Sequence, residues 1–408
     1  MNPRTKRHRN TRDRKSGDVQ LIYPNKLSLR QLLSDSGNFR FSIVSSPSSG
    51  GPAGWQNRLI HGDNLAVLSE FCRDKEVAGR VTLAYLDPPF ATDQQYRSGT
   101  QRTATVSSSK HDRVAYEDRL SSAEYLEFLR QRLLLLGELL SESGSVYVHI
   151  GIQMAHYVRV ILDEVFGQEN FLSEIVRVKC NPKNFPRRAY GNIKDTVLFY
   201  SKAGRHVWNE SREPMTAEEL ERLFPRVDAE GRRYTTTPLH APGETEKGST
   251  GAIWKGMRPP RGRHWRSDPE ELTALDAQGR IEWSARGNPR KKIFAEDIAR
   301  VGKKRQDIWV FKDPQYPSYP TEKNLRLLET LVLASSNPGD VVLDCFAGSG
   351  TTLVAAEMHR RRWIGVDSSP LAIRETTARL RRIVGCRAFA LMKMKPVRGA
   401  TGAENSRV

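Results

Sequence analysis

Apolar runs of strand length alternate along this chain with stretches in which apolar residues return at helical spacing. Val81-Thr82-Leu83-Ala84-Tyr85-Leu86 is almost wholly apolar and reads as a strand buried on both faces. Leu120 to Leu140 places Tyr125, Phe128, Leu129, Leu133, Leu136 and Leu140 on one helical face. Gly144 to Ile150 then reads as a strand, Met154 to Phe166 as a helix and Phe171 to Val178 as a strand. Upstream, Arg58 to His61 is a short strand and Asn64 to Phe71 a helix. Downstream, a helix turns Leu325, Leu328, Leu331 and Val332 inward and stops at Pro338-Gly339. Asp340 to Phe346 is a strand, Leu353 to Arg362 a helix, Trp363 to Asp367 a strand, and one more helix runs to about Arg382. Strands alternating with helices predict an α/β fold with a parallel sheet covered on both sides.

Residues 203–318 break that alternation and carry most of the tryptophans. The pattern thus divides the chain into a basic, disordered tail and linker over 1–54, one core half over 55–202, an insertion over 203–318, a second core half over 319–385 and a polar tail over 386–408. The tail is expected from Arg4, Lys6, Arg7, Arg9, Arg12, Arg14 and Lys15, opposed by Asp13 alone. Ser45 to Gly54 is a Ser/Gly/Pro linker, and Leu21 to Ile43 between them reads as a small appendage. Ala91 to Val114, rich in Ser, Thr, Gln and Arg, reads as a mobile loop beside the site.

The chemistry concentrates at two strand ends. Asp87-Pro88-Pro89-Phe90 closes the first buried strand. A carboxylate, two stiff prolines and a ring suit methylation of an amino group on a flat base, because such an amine has its lone pair delocalised. Asp87 and the Pro88 carbonyl can accept from its two N–H bonds, and Phe90 offers a stacking face. A strand that simply ends in a Pro-rich turn with an Asp cap fits the tetrapeptide equally well. Far downstream, Phe346-Ala347-Gly348-Ser349-Gly350-Thr351-Thr352 links a strand to a helix, and Asp367 ends the next strand. Glycines let backbone approach a ligand, and an acid at that place accepts from ribose hydroxyls. The loop lacks the full G-x-G-x-x-G pattern, so it points to a single-nucleoside cofactor. Thr321 and Lys323, at the start of the inward-facing helix, suit the cofactor carboxylate.

These motifs resemble the permuted, beta-type amino-methyltransferases that modify DNA, in particular the adenine-specific modification subunits of type III restriction systems. His61-Gly62-Asp63-Asn64, Asp195 to Lys202, Trp254-Lys255-Gly256, Pro259 to Trp265, Gly279 to Trp283, Gln306 to Trp309 and Tyr319 to Lys323 extend the likeness over about residues 55 to 375. Phe90 stands where the family more often has Tyr, and the chain is shorter than a typical modification subunit. The resemblance implies a doubly wound, mainly parallel sheet of the S-adenosylmethionine-dependent type, permuted, with a target-recognition domain inserted. It implies catalysis by Asp87, Pro88, Pro89 and Phe90. It implies S-adenosyl-L-methionine held by Asp63, Thr321, Lys323, Asp344, Phe346, Ala347, Gly348, Ser349, Gly350, Thr351, Thr352 and Asp367. Asp63 would lie near the cofactor adenine, although capping the following helix explains it as well. Adenine N6 is favoured over cytosine N4 by the resemblance and the leading Asp. A catalytically silent DNA-binding relative, an RNA methyltransferase and a nucleotide-dependent oxidoreductase are the weaker alternatives.

Composition then narrows the partner. Lys+Arg 65 against Asp+Glu 47 leaves a net charge of +18 over 408 residues, which argues for a polyanion, double-stranded DNA first. Lys255, Arg258, Arg261, Arg263, His264 and Arg266 cluster beside Trp254 and Trp265, and Lys291-Lys292 and Lys303-Lys304-Arg305 extend the basic surface. Basic residues interleaved with aromatics suit phosphate and base contacts. No apolar run reaches a membrane span, the start of the chain lacks a signal-type apolar core, and Cys72, Cys180, Cys345 and Cys386 show no metal-ligand spacing. A cytoplasmic protein with reduced thiols and no metal is expected. A homodimer and a restriction subunit are left open as partners by the resemblance alone, and the chain contains no recognisable nuclease motif. His149, mid-strand, is expected to be a bonded strand histidine rather than a catalyst.

Overall fold

The computed structural model describes residues 19–34, 39–45, 55–89, 95–98, 113–117, 122–182, 186, 188–245, 248–285, 287–315, 317, 319 and 322–396. They form two compact units: residues up to Asn209 with those from Gln306 onward, and Glu210–Arg305. The first unit is built on one ten-stranded sheet. Its strands, in chain order, are β1 (Phe39–Ser45), β2 (Asn57–His61), β3 (Val81–Leu86), β4 (Leu140–Ile150), β5 (Phe171–Val178), β6 (Lys194–Ser201), β7 (Ile308–Val310), β8 (Val341–Asp344), β9 (Arg362–Asp367) and β10 (Phe389–Pro396). Across the sheet they lie in the order β1-β10-β2-β9-β8-β3-β4-β6-β5-β7. The run from β10 to β4 is parallel, whereas β6 is antiparallel to both neighbours and β1 is antiparallel to β10. The sheet is therefore doubly wound and mainly parallel.

Strand alternation sorts the side chains onto two faces. Ala84 and Leu86 of β3 pack with Leu68, Leu133, Leu136 and Ile161 in one core. Those residues come from α2 (Asn64–Phe71), α3 (Ser122–Leu139) and α4 (Ala155–Phe166). Leu83 and Tyr85 pack in a second core with Leu328, Leu331, Leu353 and Ile373. These come from α5 (Leu325–Ser335), α6 (Thr351–Met358) and α7 (Pro370–Arg381). Burial on both faces is why β3 reads as an unbroken apolar run. No helix among the described residues is long and apolar enough to cross a membrane.

Three sequence expectations need correction. The stretch 1–54 is not all tail and linker, since Leu29–Ser34 is helical and β1 joins the sheet edge. The stretch 386–408 is not all tail either, because β10 pairs with both β1 and β2. Each strand is weakly apolar alone, and β1 gains its ladder partners only by pairing with the distant β10. The insertion is also narrower than 203–318: residues from Gln306 return to the first unit, where β7 pairs with β5 and Trp309 is buried. The loop expected over 91–114 lies largely outside the described residues; its flanks, Gln95–Ser98 and Arg113–Glu117, pair antiparallel.

The second unit has a four-stranded antiparallel sheet, Arg226–Val227, Arg233–Pro238, Pro289–Phe294 and Ile281–Trp283, in that order. A small core of Leu239, Trp254, Trp265, Leu272 and Ile281 supports it. Trp254 donates from Nε1 to Thr273 and Trp265 to the Ala252 carbonyl. These two tryptophans are thus packing residues, and the expectation that they interleave with the cations for base contacts is corrected.

Candidate active site

The carboxyl ends of β3, β8 and β9 lie side by side. Asp344 pairs across the sheet with Tyr85, two residues before Asp87, and Asp367 pairs with His61. In open α/β sheets this edge is where ligands bind. Asp87 follows the last residue of β3, and Pro88 behind it is buried. Lys323 Nζ lies 2.5 Å from Asp87 Oδ2, with both side chains mostly buried. The other carboxylate oxygen, Oδ1, is buried and has no hydrogen-bond partner among the described residues. An unpaired buried acceptor is costly. Phe90 and Thr321 lie outside the described residues.

Lys323 sits at the start of α5, just before its cap. Helix α5 begins at Leu325 with Asn324 as its cap, so Lys323 precedes the helix and its ammonium meets Asp87. The neighbours pin it there. Asn324 Oδ1 accepts from Arg326 N at 3.0 Å, Asn324 Nδ2 donates to the Lys312 carbonyl at 2.8 Å, and Glu322 Oε1 is 3.0 Å from Arg379 Nη1.

The glycine loop between β8 and α6 is held tightly. Gly348 and Gly350 have φ of +52° and +73°, the left-handed region that glycine enters freely. A Cβ at Gly350 would sit 2.5 Å from Thr376 Cγ2. Thr376 Oγ1 donates to the Gly348 carbonyl at 2.9 Å, and Arg379 donates to the Ser349 carbonyl and hydroxyl and to Thr351 Oγ1. Asp367 binds the loop from the side: Oδ2 accepts from Gly348 N and Oδ1 from Ser369 N, both at 2.8 Å. Each oxygen retains a second lone pair for a hydroxyl. Burial pushes the Asp367 carboxyl above the usual range against those backbone bonds. Asp344, fully buried, accepts from Phe346 N, and burial pushes its carboxyl up to about 7. Ala347, Ser349, Thr351 and Thr352 are buried around this turn.

On the other side, Asp63 caps α2 by accepting from Leu65 N and Ala66 N, and its side chain is 61% exposed. Arg132 joins it: Nη2 is 3.3 Å from Asp63, Nε donates to Asn64 Oδ1 at 2.6 Å, and the guanidinium lies over the Phe128 ring. Asn64 Nδ2 in turn donates to the Cys345 carbonyl at 2.7 Å, and Phe128 packs against Phe346. Burial lowers the Arg132 guanidinium to about 10. Arg132, Thr376 and Arg379 were not singled out from sequence, and Asn64 entered only as part of His61-Gly62-Asp63-Asn64. The one available signal was Arg132 itself, a charge on the otherwise apolar face of the helix.

Beneath Asp87, Tyr85 Oη bonds His149 Nδ1 at 2.8 Å and His149 Nε2 bonds Asp195 Oδ2 at 3.3 Å. Burial holds His149 below its usual pKa, so the neutral ring donates from Nε2 and accepts from Tyr85. Burial opposes ionisation of Asp195, yet the bonds from His149 and from Lys179 Nζ, at 2.6 Å, keep it well below the carboxylate range. His149 is bonded within the strand, as its sequence context suggested.

In the second unit, Arg258, Arg261, Arg263 and Arg266 are exposed. Arg263 reaches His240 Nδ1 at 3.2 Å, Arg266 the Pro238 carbonyl, and Lys255 pairs with Asp276. Lys303, Lys304 and Arg305 do not extend this basic surface. Glu213 and Glu219 pair with Lys303, Glu210 with Lys304 and Glu213 with Arg305, which neutralises the cluster.

Comparison with known proteins identifies the family. The family described as "DNA methylase", of the N6 and N4 type, matches residues 81–378. The Type II methyltransferase M.EcaI of Enterobacter cloacae is 39% identical over 367 residues, covering 88% of this chain and 77% of that protein. The EcoP15I Mod subunit of a type III restriction-modification enzyme from Escherichia coli is 23% identical over 358 residues, covering 73% of this chain and 55% of that protein. The DNA adenine methyltransferase YhdJ of Escherichia coli K12 is 38% identical over 94 residues, 23% of this chain and 32% of that protein.

Proposed function

The chain belongs to the N6/N4 family of DNA methylases, and we propose that within it this protein methylates N6 of an adenine flipped out of duplex DNA at a fixed recognition site. The donor is S-adenosyl-L-methionine, which when bound supplies a methyl group already activated on a sulfonium. The protein's own task is positioning and charge placement.

One observation carries the reading of the acid. Asp87 Oδ1 is a buried acceptor without a donor among the described residues, at the tip of the strand beside the one that leads into the glycine loop. An exocyclic amine has the N–H to fill it. Asp87 and the Pro88 carbonyl would take its two N–H bonds and draw the nitrogen towards tetrahedral geometry, with Phe90 stacked on the ring. The cofactor fits the loop: Gly348 to Thr352 give close backbone approach, Asp344 and Phe346 line its base, and Asp367 keeps lone pairs for a ribose. Asp63 and Thr321 belong to the same set. A base inside a duplex is shielded by stacking, so it must leave the helix to reach Asp87.

Arg258, Arg261, Arg263 and Arg266, exposed in the second unit, are our candidates for DNA contact, with Lys255 beside them. The likeness to YhdJ, a DNA adenine methyltransferase, favours adenine, and the likeness to the EcoP15I Mod subunit raises a restriction subunit as partner.

Methylation-aware sequencing of DNA from a host expressing the chain tests this. N6-methyladenine at one position of one motif is expected. N4-methylcytosine would reassign the base, and unmodified DNA despite folded protein would remove the enzyme reading.

A further inference from the structure

We propose that Lys323 is a positioning residue for Asp87, binding one carboxylate oxygen so that the other is presented to the target amine. This rests on the reading of Asp87 given above and deepens it.

The two oxygens of Asp87 are not equivalent. Oδ2 has the Lys323 ammonium at 2.5 Å, and Oδ1 is buried and has no partner among the described residues. The terminal torsion of an aspartate is broad, so the carboxylate plane is poorly fixed by its own rotamer. An ammonium on one oxygen fixes that plane. It also offsets the cost of holding a carboxylate in a site where its side chain is only 16% exposed. The lysine can act as an anchor because it is anchored itself. Its side chain is 10% exposed, and the residues on either side are bonded, Asn324 to Arg326 N and the Lys312 carbonyl, and Glu322 to Arg379. Asp87 is fixed from its own side by the buried Pro88. Two motifs from the two halves of the core thus close on one carboxylate. A point charge on a flexible stem suits this task, since it holds Oδ2 without competing for Oδ1.

The alternative assignment, by which Lys323 pairs with the cofactor carboxylate, makes the opposite kinetic statement. An anchor for Asp87 acts on the chemical step, whereas a cofactor ligand acts on cofactor affinity. The test compares wild type, Asp87→Ala, Lys323→Met and Lys323→Arg on a duplex carrying the methylated motif. Turnover is measured at saturating S-adenosylmethionine, and cofactor Kd by calorimetry. For Lys323→Met, kcat should fall at least tenfold while Kd stays within threefold, and Lys323→Arg should recover part of kcat. A kcat fall below tenfold overturns the proposal, and a tenfold rise in Kd with kcat retained returns Lys323 to the cofactor. If Lys323→Met does not fold, Lys323→Gln carries the same criterion. Should Asp87→Ala turn over like wild type, the role of Asp87 fails instead, a result distinct from an inactive Asp87→Ala beside an active Lys323→Met.

Discussion

Lys323 Nζ and Asp87 Oδ2, 2.5 Å apart, join the loop before α5 to the end of β3. The pair spans the division of the core into two halves separated by the second unit. The acid is therefore set by both halves, and β8, the strand beside β3, leads into the glycine loop that Asp367 and Arg379 hold.

Asp87→Asn keeps the shape of the side chain and removes its charge. Turnover should fall by about 10²–10³, the loss seen when one preorganised polar contact to the reacting group is removed. Cofactor affinity should stay within a few-fold. Transfer of labelled methyl to DNA, beside a cofactor titration, checks both. Substantial turnover in the folded variant would show that the carboxylate does not hold the amine.

Asp367→Ala removes the acceptors for Gly348 N of the glycine loop and for Ser369 N at the start of α7, as well as the expected ribose contact. Loss of a hydrogen bond to a charged group costs roughly 1.5–3 kcal/mol, so cofactor Kd should rise about ten- to a hundredfold. Calorimetry on a folded variant reads this directly, and an unchanged Kd would sink the assignment.

Gly350→Ala carries two penalties: a left-handed φ and a Cβ 2.5 Å from Thr376 Cγ2. The first costs roughly 1–2 kcal/mol and the second about 1–3 kcal/mol. Adding Thr376→Ser, which removes the methyl and keeps the hydroxyl, should restore part of the loss but never all of it. Thermal unfolding of the single and double variants measures the part due to the methyl, while Oγ1, 2.7 Å from that Cβ, stays in both. Full recovery in the double variant would mean the backbone conformation is not strained.

Asp344 makes stability depend on pH. Its carboxyl, pushed up to about 7 by burial, keeps a proton that the unfolded chain releases near pH 4. Between those values the folded state binds more protons than the unfolded state, so stability falls as pH rises and levels off above 7. The contribution is on the order of 4 kcal/mol at most. Asp344→Asn should lose that part of the slope and gain relative to wild type at pH 8. Urea titrations at pH 5 and 8 test it; an identical pH slope in the two proteins would count against it.

The cations of the second unit should divide into two classes. Arg258, Arg261, Arg263 and Arg266 are exposed, and each one that meets a phosphate should lower the salt slope of DNA binding by about one when changed to Ala. One that reads a guanine edge should instead relax one position, at ~1–3 kcal/mol of discrimination. Lys303→Ala should leave DNA binding alone, because Glu213 and Glu219 already neutralise it, and should cost under ~1 kcal/mol of stability. Binding titrations across a salt series distinguish the classes. A reversed result would move the DNA-facing surface to the Lys303 side.

What could be read from the sequence was local. β3, the glycine turn and Asp367 each announce themselves within a few residues, because a buried parallel strand is apolar throughout and a tight turn needs glycine. What could not be read depends on partners distant in the chain. Trp254 and Trp265 look like a base-contacting pair until Leu239, Leu272 and Ile281 are seen around them. Lys303-Lys304-Arg305 looks like a phosphate grip until Glu210, Glu213 and Glu219 are placed beside it. Lys323 has the same character: no local pattern tells an ammonium which carboxylate it will meet.

The pairing of β1 with β10 has a consequence for the order of assembly. Ser42 Oγ donates to the Lys393 carbonyl across 351 residues of chain. At roughly 5–20 residues per second, β1 leaves the ribosome on the order of 20–70 s before its partner exists. During that interval Phe39 and Phe41, which pack against the core in the finished protein, have no strand beside them. So distant a contact is also expensive in loop-closure entropy and is therefore made late. That edge of the sheet is where a nascent chain would most need a chaperone, and where a slow refolding phase would originate.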